Sequence, residues 1–304
     1  MRVLVTGASG WIGSAVVPEL NGAGHQVIGL ARSDESAAAL AAAGAEVLRG
    51  SLDDLEVLGS AAARSDGVVH LAFKHDMAFT GDFAGAVDAD KRAIEALSAP
   101  LAGTDRPFVI ASGLLGVAPG RTATEADGVG ECPDPEGGGL SGRMANAQFV
   151  LSLASRGVRS SVLRLPPTVH GEGDNGFLPM QIAIAREKGV SGYVGDGLHR
   201  WPAIHRSDAA RLFRLALEQA PAGTTLHAVG DEGVPIRDIA EVIGRHLDLP
   251  VASVAAQDAF THFGWLGGPL SIDAPSSAQI TQRLLGWHQT GPALIDDLDK
   301  GHYF

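Results

Sequence analysis

The stretch that most limits what this chain can become is its opening, RVLVTGASGWIGSAV, residues 2–16. Five residues of strand character, Arg2 to Thr6, run straight into Gly7, Gly10 and Gly13, and a helical pattern follows. A strand, a glycine turn and a helix in that order begin a βαβ unit. Gly7 permits the tight turn, Gly10 lets a ligand approach the backbone, and Gly13 lets the helix lie close to the strand. The first N–H groups of the helix lack partners within it and point towards the turn. That arrangement predicts a bound dinucleotide pyrophosphate. Ser9, Trp11 and Ile12 fill the rest of the turn and join the three glycines as candidate cofactor contacts.

Similar units continue downstream. The apolar runs 2–6, 26–30, 45–50, 67–73, 107–112 and 160–165 read as strands. The segments 11–23, 34–43, 53–63, 83–98 and 140–156 between them read as helices. Strands with continuous apolar character, separated by helices, are buried on both faces of a parallel sheet. The fold class is therefore α/β, a doubly wound Rossmann-type parallel sheet. After residue 165 the rhythm breaks. PPTVHGEGDNG reads as a loop, a helix is expected near 177–188, and another is expected with Ser207 or Asp208 as its cap. TTLHAVG reads as one more strand, whereas 231–304 shows helices and loops without a clear strand series. The expected division is a dinucleotide-binding domain of 1–165 plus 198–230, and a smaller, mainly helical substrate lobe of 166–197 plus 231–304.

Composition excludes some classes of partner. A net charge of -12 disfavours nucleic acid and anionic membrane. No apolar run reaches the ~18 residues of a membrane span, and the N-terminus lacks the pattern of a signal peptide, so a cytoplasmic protein is expected. The single cysteine, Cys132, has no internal disulfide partner and reads as an incidental thiol. No spacing suggests a zinc site, and no metal is expected. The expected partner is a small-molecule substrate, with a homodimer left open.

The end of the second strand bears on which coenzyme is bound. An acid there would bind the adenosine ribose hydroxyls. The sequence GLARSDES instead places Ala31 at that point, followed by Arg32 and Ser33. A guanidinium can bind a 2'-phosphate, and Ser33 can add a hydrogen bond, so NADP(H) is favoured over NAD(H). Asp34 reads as the cap of the next helix. A solvated Arg32 with no ligand is the plainer alternative.

Several stretches in order resemble the extended or atypical short-chain dehydrogenase/reductase family, its epimerase/dehydratase-like branch. Thr6 to Gly13 resembles the T-G-x-x-G-x-x-G turn. GVVHLAF resembles the V-x-H-x-A segment, FVIASGLLG the strand end carrying the active-site serine, and VLRLPPTVHG the L-R-x-x-x-x-Y-G segment. WPAIHRSDAARLFRLALE resembles the V-H-V-x-D-x-A helix entry, and LLGWHQT the L-G-W-x-P close. The resemblance implies that Gly7, Gly10, Ile12 and Gly13 line the phosphates and that Leu71, Ala72 and Phe73 line the middle of the cofactor. It implies Pro166 and Pro167 near the nicotinamide, and Leu52 or Asp53 near adenine. The usual acid beside adenine is replaced by Ser51.

The same resemblance implies a catalytic tyrosine followed by a lysine four residues later. This chain has only two tyrosines, Tyr193 and Tyr303, and neither is followed by such a lysine. The two positions fall near Gly139 and Arg143. Arg143 can hold positive charge beside a developing alkoxide but is too basic to donate a proton. Ser112 is the candidate to orient a carbonyl oxygen. His75, after the fourth strand, is the candidate proton donor. Lys74, His170, Arg200 and Trp201 are candidate substrate contacts. Each has a structural alternative: Arg143 as a surface residue, Ser112 as a turn residue, Lys74 and His75 as a solvated loop, Trp201 as packed core. His205 reads as structural.

Three functions remain open. The first is an NADP-dependent oxidoreductase acting on a small carbonyl or alcohol. The second is an NADP-binding regulatory or redox-sensing protein without turnover. The third is a nucleotide-sugar epimerase or dehydratase, for which the chain shows no evident diphosphate clamp.

Overall fold

The opening apolar run forms β1 (Arg2–Thr6), and Val3, Leu4 and Val5 have no exposed surface, as expected for a strand covered on both faces. The computed structural model describes residues 1–129 and 140–304, with only the backbone described at Phe79 and Leu140. Cys132 and Gly139 lie outside the described residues. In chain order the next elements are α1 (Gly13–Gly22), β2 (Gln26–Ala31), α2 (Asp34–Ala42), β3 (Glu46–Arg49), α3 (Leu55–Ala63) and β4 (Gly67–His70). Then come α4 (His75–Phe79), α5 (Phe83–Ser98), β5 (Pro107–Gly113), α6 (Leu140–Ser152), β6 (Arg159–Leu165), β7 (Thr168–His170), α7 (Phe177–Lys188) and β8 (Ser191–Val194). The labelled series closes with β9 (Arg200–His205), α8 (Arg206–Gln219), β10 (Thr224–His227), β11 (Asp231–Pro235), α9 (Ile236–Leu247) and β12 (Val251–Val254).

The chain divides into two compact units. The first contains residues 1–112, 128–164 and 210–226, and the second contains 113–127, 165–209 and 227–304. The expected division assigned 198–230 to the first domain and 113–127 to it as well. The main sheet has the order β10-β6-β5-β4-β1-β2-β3. Its β3–β2, β2–β1, β1–β4 and β4–β5 pairs are parallel, which gives the doubly wound Rossmann architecture. Successive strands first proceed outward from β1 to β3. The chain then returns to place β4 on the other side of β1. Strand order reverses there, and ligands of open α/β sheets bind outside the carboxyl ends at such a point.

In α5 the buried face includes Ala86, Asp90, Ala93, Ile94 and Leu97, a helical stripe interrupted by one acid. Asp82 caps its start by accepting from the Gly85 N–H at 2.9 Å. The 140–156 helix is continuous to Ser152, then tightens into a 3-10 turn, Leu153–Arg156, and ends at Gly157 with φ +70°. In the second unit, Leu178, Trp201, Ile239 and Leu266 lie in one apolar core.

Two expectations need correction. The region 231–304 contains strands: β11 pairs antiparallel with β9, and β12 pairs in parallel with β8. These strands are only four or five residues long and lack fully buried positions, so they carry no apolar run. The caps also differ. Ser33, rather than Asp34, caps α2 in a reciprocal arrangement with Ser36. Ser207 and Asp208 lie inside α8. Asp208 accepts the N–H groups of Thr290 and Gly291, while the Ser207 hydroxyl lies 2.7 Å from His205 Nδ1.

Candidate active site

The glycine turn is built by close backbone approach. Gly7 has φ +64°, and a Cβ there would lie 2.7 Å from the Ala72 nitrogen. A Cβ at Gly13 would strike the Gly7 carbonyl and the Ala8 backbone. A Cβ at Gly10, by contrast, would meet only the Gly7 oxygen at 3.2 Å, so the outer side of the turn is open. Ser9 and Gly10 are exposed, whereas Trp11 and Ile12 are half-buried. The turn after β1 and Leu71–Phe73 after β4 meet at the reversal point of the sheet. The Leu71 N–H donates to the Thr6 carbonyl at 3.2 Å. An open cradle beside the first turn of a helix fits a dinucleotide diphosphate, and these residues would hold it.

At the outer end of the cradle, Ala31 closes β2 and is buried. Arg32 is exposed and makes a 3.3 Å ion pair with Asp76. A second guanidinium, Arg49, lies nearby. It donates to the Ser33 carbonyl and pairs with Asp34 at 2.7 Å. The Ser33 hydroxyl is occupied by its cap with Ser36. Leu52 is packed in the hydrophobic core. Asp53 is held by Lys74, whose ammonium reaches its two oxygens at 2.8 and 2.7 Å. Both residues thus have a protein partner. Ser51 binds Asp54 through its N–H and hydroxyl.

The candidate catalytic residues gather at the carboxyl edge of β4 and β5. Ser112 lies near the end of β5 and is 8% exposed. Arg143, in the first turn of α6, donates from Nη2 to the Ala111 carbonyl at 3.2 Å. Its Cζ lies 4.1 Å from the centroid of the Phe73 ring, a cation–π stack. Arg143 is half-buried; desolvation lowers its pKa while the charge of Asp90 opposes the shift. His75 opens α4, with its ring edge-on to Phe73 at 5.1 Å. Desolvation and the Arg143 charge hold its imidazole below the ordinary 6.5, against Asp76 and Asp90.

The sequence reading missed a buried polar chain behind this edge. Thr6 Oγ1 lies 2.7 Å from His70 Nδ1, and His70 Nε2 lies 3.1 Å from Asp90 Oδ1. Asn146 Nδ2 donates to Asp90 Oδ2 at 2.9 Å. Burial raises the Asp90 carboxyl, but the hydrogen bonds from His70 and Asn146 and the charge of Arg143 hold it below its usual value overall. The available signal was an acid at a core-facing position of the α5 stripe.

The other predicted substrate contacts belong to the second unit. His170 ends β7 and is fully buried, with Nδ1 3.0 Å from Asp297 Oδ2. Trp201 is also fully buried and packs against Phe177, centroid to centroid 5.6 Å. Arg200 is bound through Nε and Nη2 to Asp273. Pro166 is buried and Pro167 half-buried. Tyr193 lies on β8. The Tyr303 hydroxyl accepts from the Gly171 N–H at 2.9 Å and donates towards Asp174 at 3.4 Å. Among the described residues, no group of His, Cys, Asp and Glu could hold a metal ion, and no helix is long and apolar enough to cross a membrane.

The model of the NAD dependent epimerase/dehydratase family matches residues 3–229. The chain belongs to this family. An uncharacterized protein of Schizosaccharomyces pombe is 47% identical over 100% of both chains. A 4-hydroxy-2-methyl-3-oxo-4-farnesyl-3,4-dihydroquinoline-1-oxide ketoreductase of Stigmatella aurantiaca is 29% identical, covering 78% of this chain and 70% of that one. The crystal structure of a dTDP-glucose 4,6-dehydratase from Streptomyces venezuelae with NAD bound has a TM-score of 0.76 at 19% identity, covering 99% of this chain and 96% of that one. That similarity concerns the fold. Within this epimerase/dehydratase-family chain, the glycine turn and the β4–β5 edge lie in the matched region; Tyr303 does not.

Proposed function

We propose that the protein is an NADP-dependent oxidoreductase that transfers hydride to or from a small carbonyl or alcohol without a Tyr-x-x-x-Lys pair. The observation that carries this reading is the Arg143 guanidinium, fixed between the Phe73 ring and the Ala111 carbonyl next to Ser112. Bound coenzyme supplies or accepts the hydride. Gly7, Gly10 and Gly13, with the start of α1, hold its diphosphate, and Arg32 selects the 2'-phosphate. Ser112 orients the reacting oxygen by hydrogen bonding. Arg143 stabilises negative charge on that oxygen without giving up a proton. His75, directly or through a water, exchanges the proton. Its lowered pKa favours neutral imidazole at pH 7, the form that accepts a proton as an alcohol is oxidised. The ketoreductase relative supports the choice of a carbonyl substrate.

The test is turnover of NADPH or NADP+ across a panel of small carbonyls and alcohols. At least one member should react, and Ser112→Ala should slow it by about 10-fold or more. An unchanged rate removes Ser112 from the mechanism. Tight coenzyme binding with no turnover anywhere on the panel favours a regulatory protein, a reading supported by the lack of the tyrosine.

A further inference from the structure

Thr6, His70, Asp90 and Asn146 lie in a row behind the β4–β5 edge, and none has a role in the chemistry described above. Their exposures are 0, 2, 5 and 4%. A carboxylate persists in such a place only when fully paired and hydrogen-bonded. Asp90 is paired through both oxygens, to His70 Nε2 at 3.1 Å and Asn146 Nδ2 at 2.9 Å. Asn146 Nδ2 also donates to the Val87 carbonyl at 3.2 Å, which fixes the orientation of its amide. At the other end, Thr6 Oγ1 accepts the Ala72 N–H at 3.3 Å. The hydroxyl proton of this fully buried threonine needs an acceptor, and His70 Nδ1 lies 2.7 Å away. His70 must therefore carry its proton on Nε2 and donate it to Asp90. The acceptor-only carboxylate sets the direction of the whole chain.

We propose that Asp90 is a positioning residue, which sets the Thr6 hydroxyl through the His70 tautomer and so fixes the Ala72 wall of the coenzyme turn. The proposal rests on the coenzyme-dependent reading of this edge. Ala72 is the residue that a Cβ on Gly7 would strike at 2.7 Å, so the chain ends at the closest backbone contact of the turn. Its other end, Asn146, is one helical turn beyond Arg143 on α6. One buried acid thus links the wall of the coenzyme cradle to the helix that carries the site's cation. An apolar set of similar volume would fill this space at less electrostatic cost, which makes purely structural packing the weaker account.

The experiment uses the full chain in two forms, wild type and Asp90→Asn. In Asp90→Asn the new amide nitrogen must face either the Asn146 amide, donor against donor, or His70 Nε2, which then has to accept and shifts the imidazole proton to Nδ1 against the Thr6 hydroxyl. Calorimetry with NADP+ should show affinity weakened about 10-fold or more in Asp90→Asn. Nitrogen-15 NMR of labelled histidine should show His70 protonated on Nε2 in wild type. Affinity unchanged in a folded Asp90→Asn, or a wild-type His70 protonated on Nδ1, would overturn the proposal. The NMR measurement requires no variant to fold. Both measurements are independent of turnover, so an enzyme that binds NADP+ but reduces nothing on the panel would refute the oxidoreductase reading and leave this inference to be judged by its own results.

Discussion

Replacing Arg32 with alanine tests the proposed coenzyme preference at the residue that would create it. Arg32 is 73% exposed along its side chain, and its Asp76 partner is 64% exposed, at 3.3 Å. An open pair of that kind contributes at most about 1 kcal/mol, so Arg32→Ala should leave folding almost unchanged. A guanidinium bonded to a 2'-phosphate contributes about 1.5–3 kcal/mol, equivalent to roughly 10- to 150-fold in affinity. NADPH should therefore bind that much more weakly to Arg32→Ala, while NADH, which lacks the phosphate, should change by less than about twofold. The converse substitution, Asp76→Ala, frees Arg32 from its competitor and should tighten NADPH by at most about fivefold. The assay is titration of both coenzymes at one fixed salt concentration, followed by repetition at higher salt, where the NADPH advantage should shrink. Equal losses for NADPH and NADH, or no loss for either, would refute the argument. In that case Arg49, already bound to Ser33 and Asp34, would be the next guanidinium to test.

Gly13→Ala forces a methyl into the Gly7 carbonyl and the Ala8 backbone; it should lower stability by about 1–3 kcal/mol in urea unfolding and weaken coenzyme binding. The His75 pKa is depressed below 6.5, so carbonyl reduction should quicken as pH falls through a value under 6.5, and His75→Gln should abolish that limb of the pH–rate profile. Asp174 is raised by burial to about 6 from an ordinary 3.8. Its contribution to stability is therefore fully present below pH 3.8 and lost as pH rises through about 6. Asp174→Asn should consequently gain about 1–3 kcal/mol over wild type between pH 4 and pH 8, measured by urea unfolding at both values.

The parts of the structure written in local periodicity were legible. The expected helix at 83–98 is α5, and that at 177–188 is α7, because each places apolar residues on one stripe. The buried strands of the main sheet were legible for a related reason, since continuous Val, Ile and Leu runs suit a sheet covered on both faces. β11 was not, because Asp-Glu-Gly-Val-Pro has neither an apolar run nor alternation, and its pairing with β9 is a tertiary event. The Lys74–Asp53 ion pair is likewise invisible locally, its residues being 21 apart in the chain. His170 and Trp201 show another limit: chemistry-bearing side chains read the same in sequence whether they face a ligand or, as here, lie fully buried. Asp90 was readable in principle, as an acid on the buried stripe of α5, but its partners on β4 and α6 emerge only after folding.

The claim on which all else depends is that the turn from Gly7 to Gly13 holds a nicotinamide dinucleotide. Calorimetric titration of the folded protein with NADP+, NADPH and NAD+ tests it most directly. The account predicts saturable binding at one site per chain, with the phosphorylated forms bound more tightly. Failure of all three to bind a folded protein would contradict it.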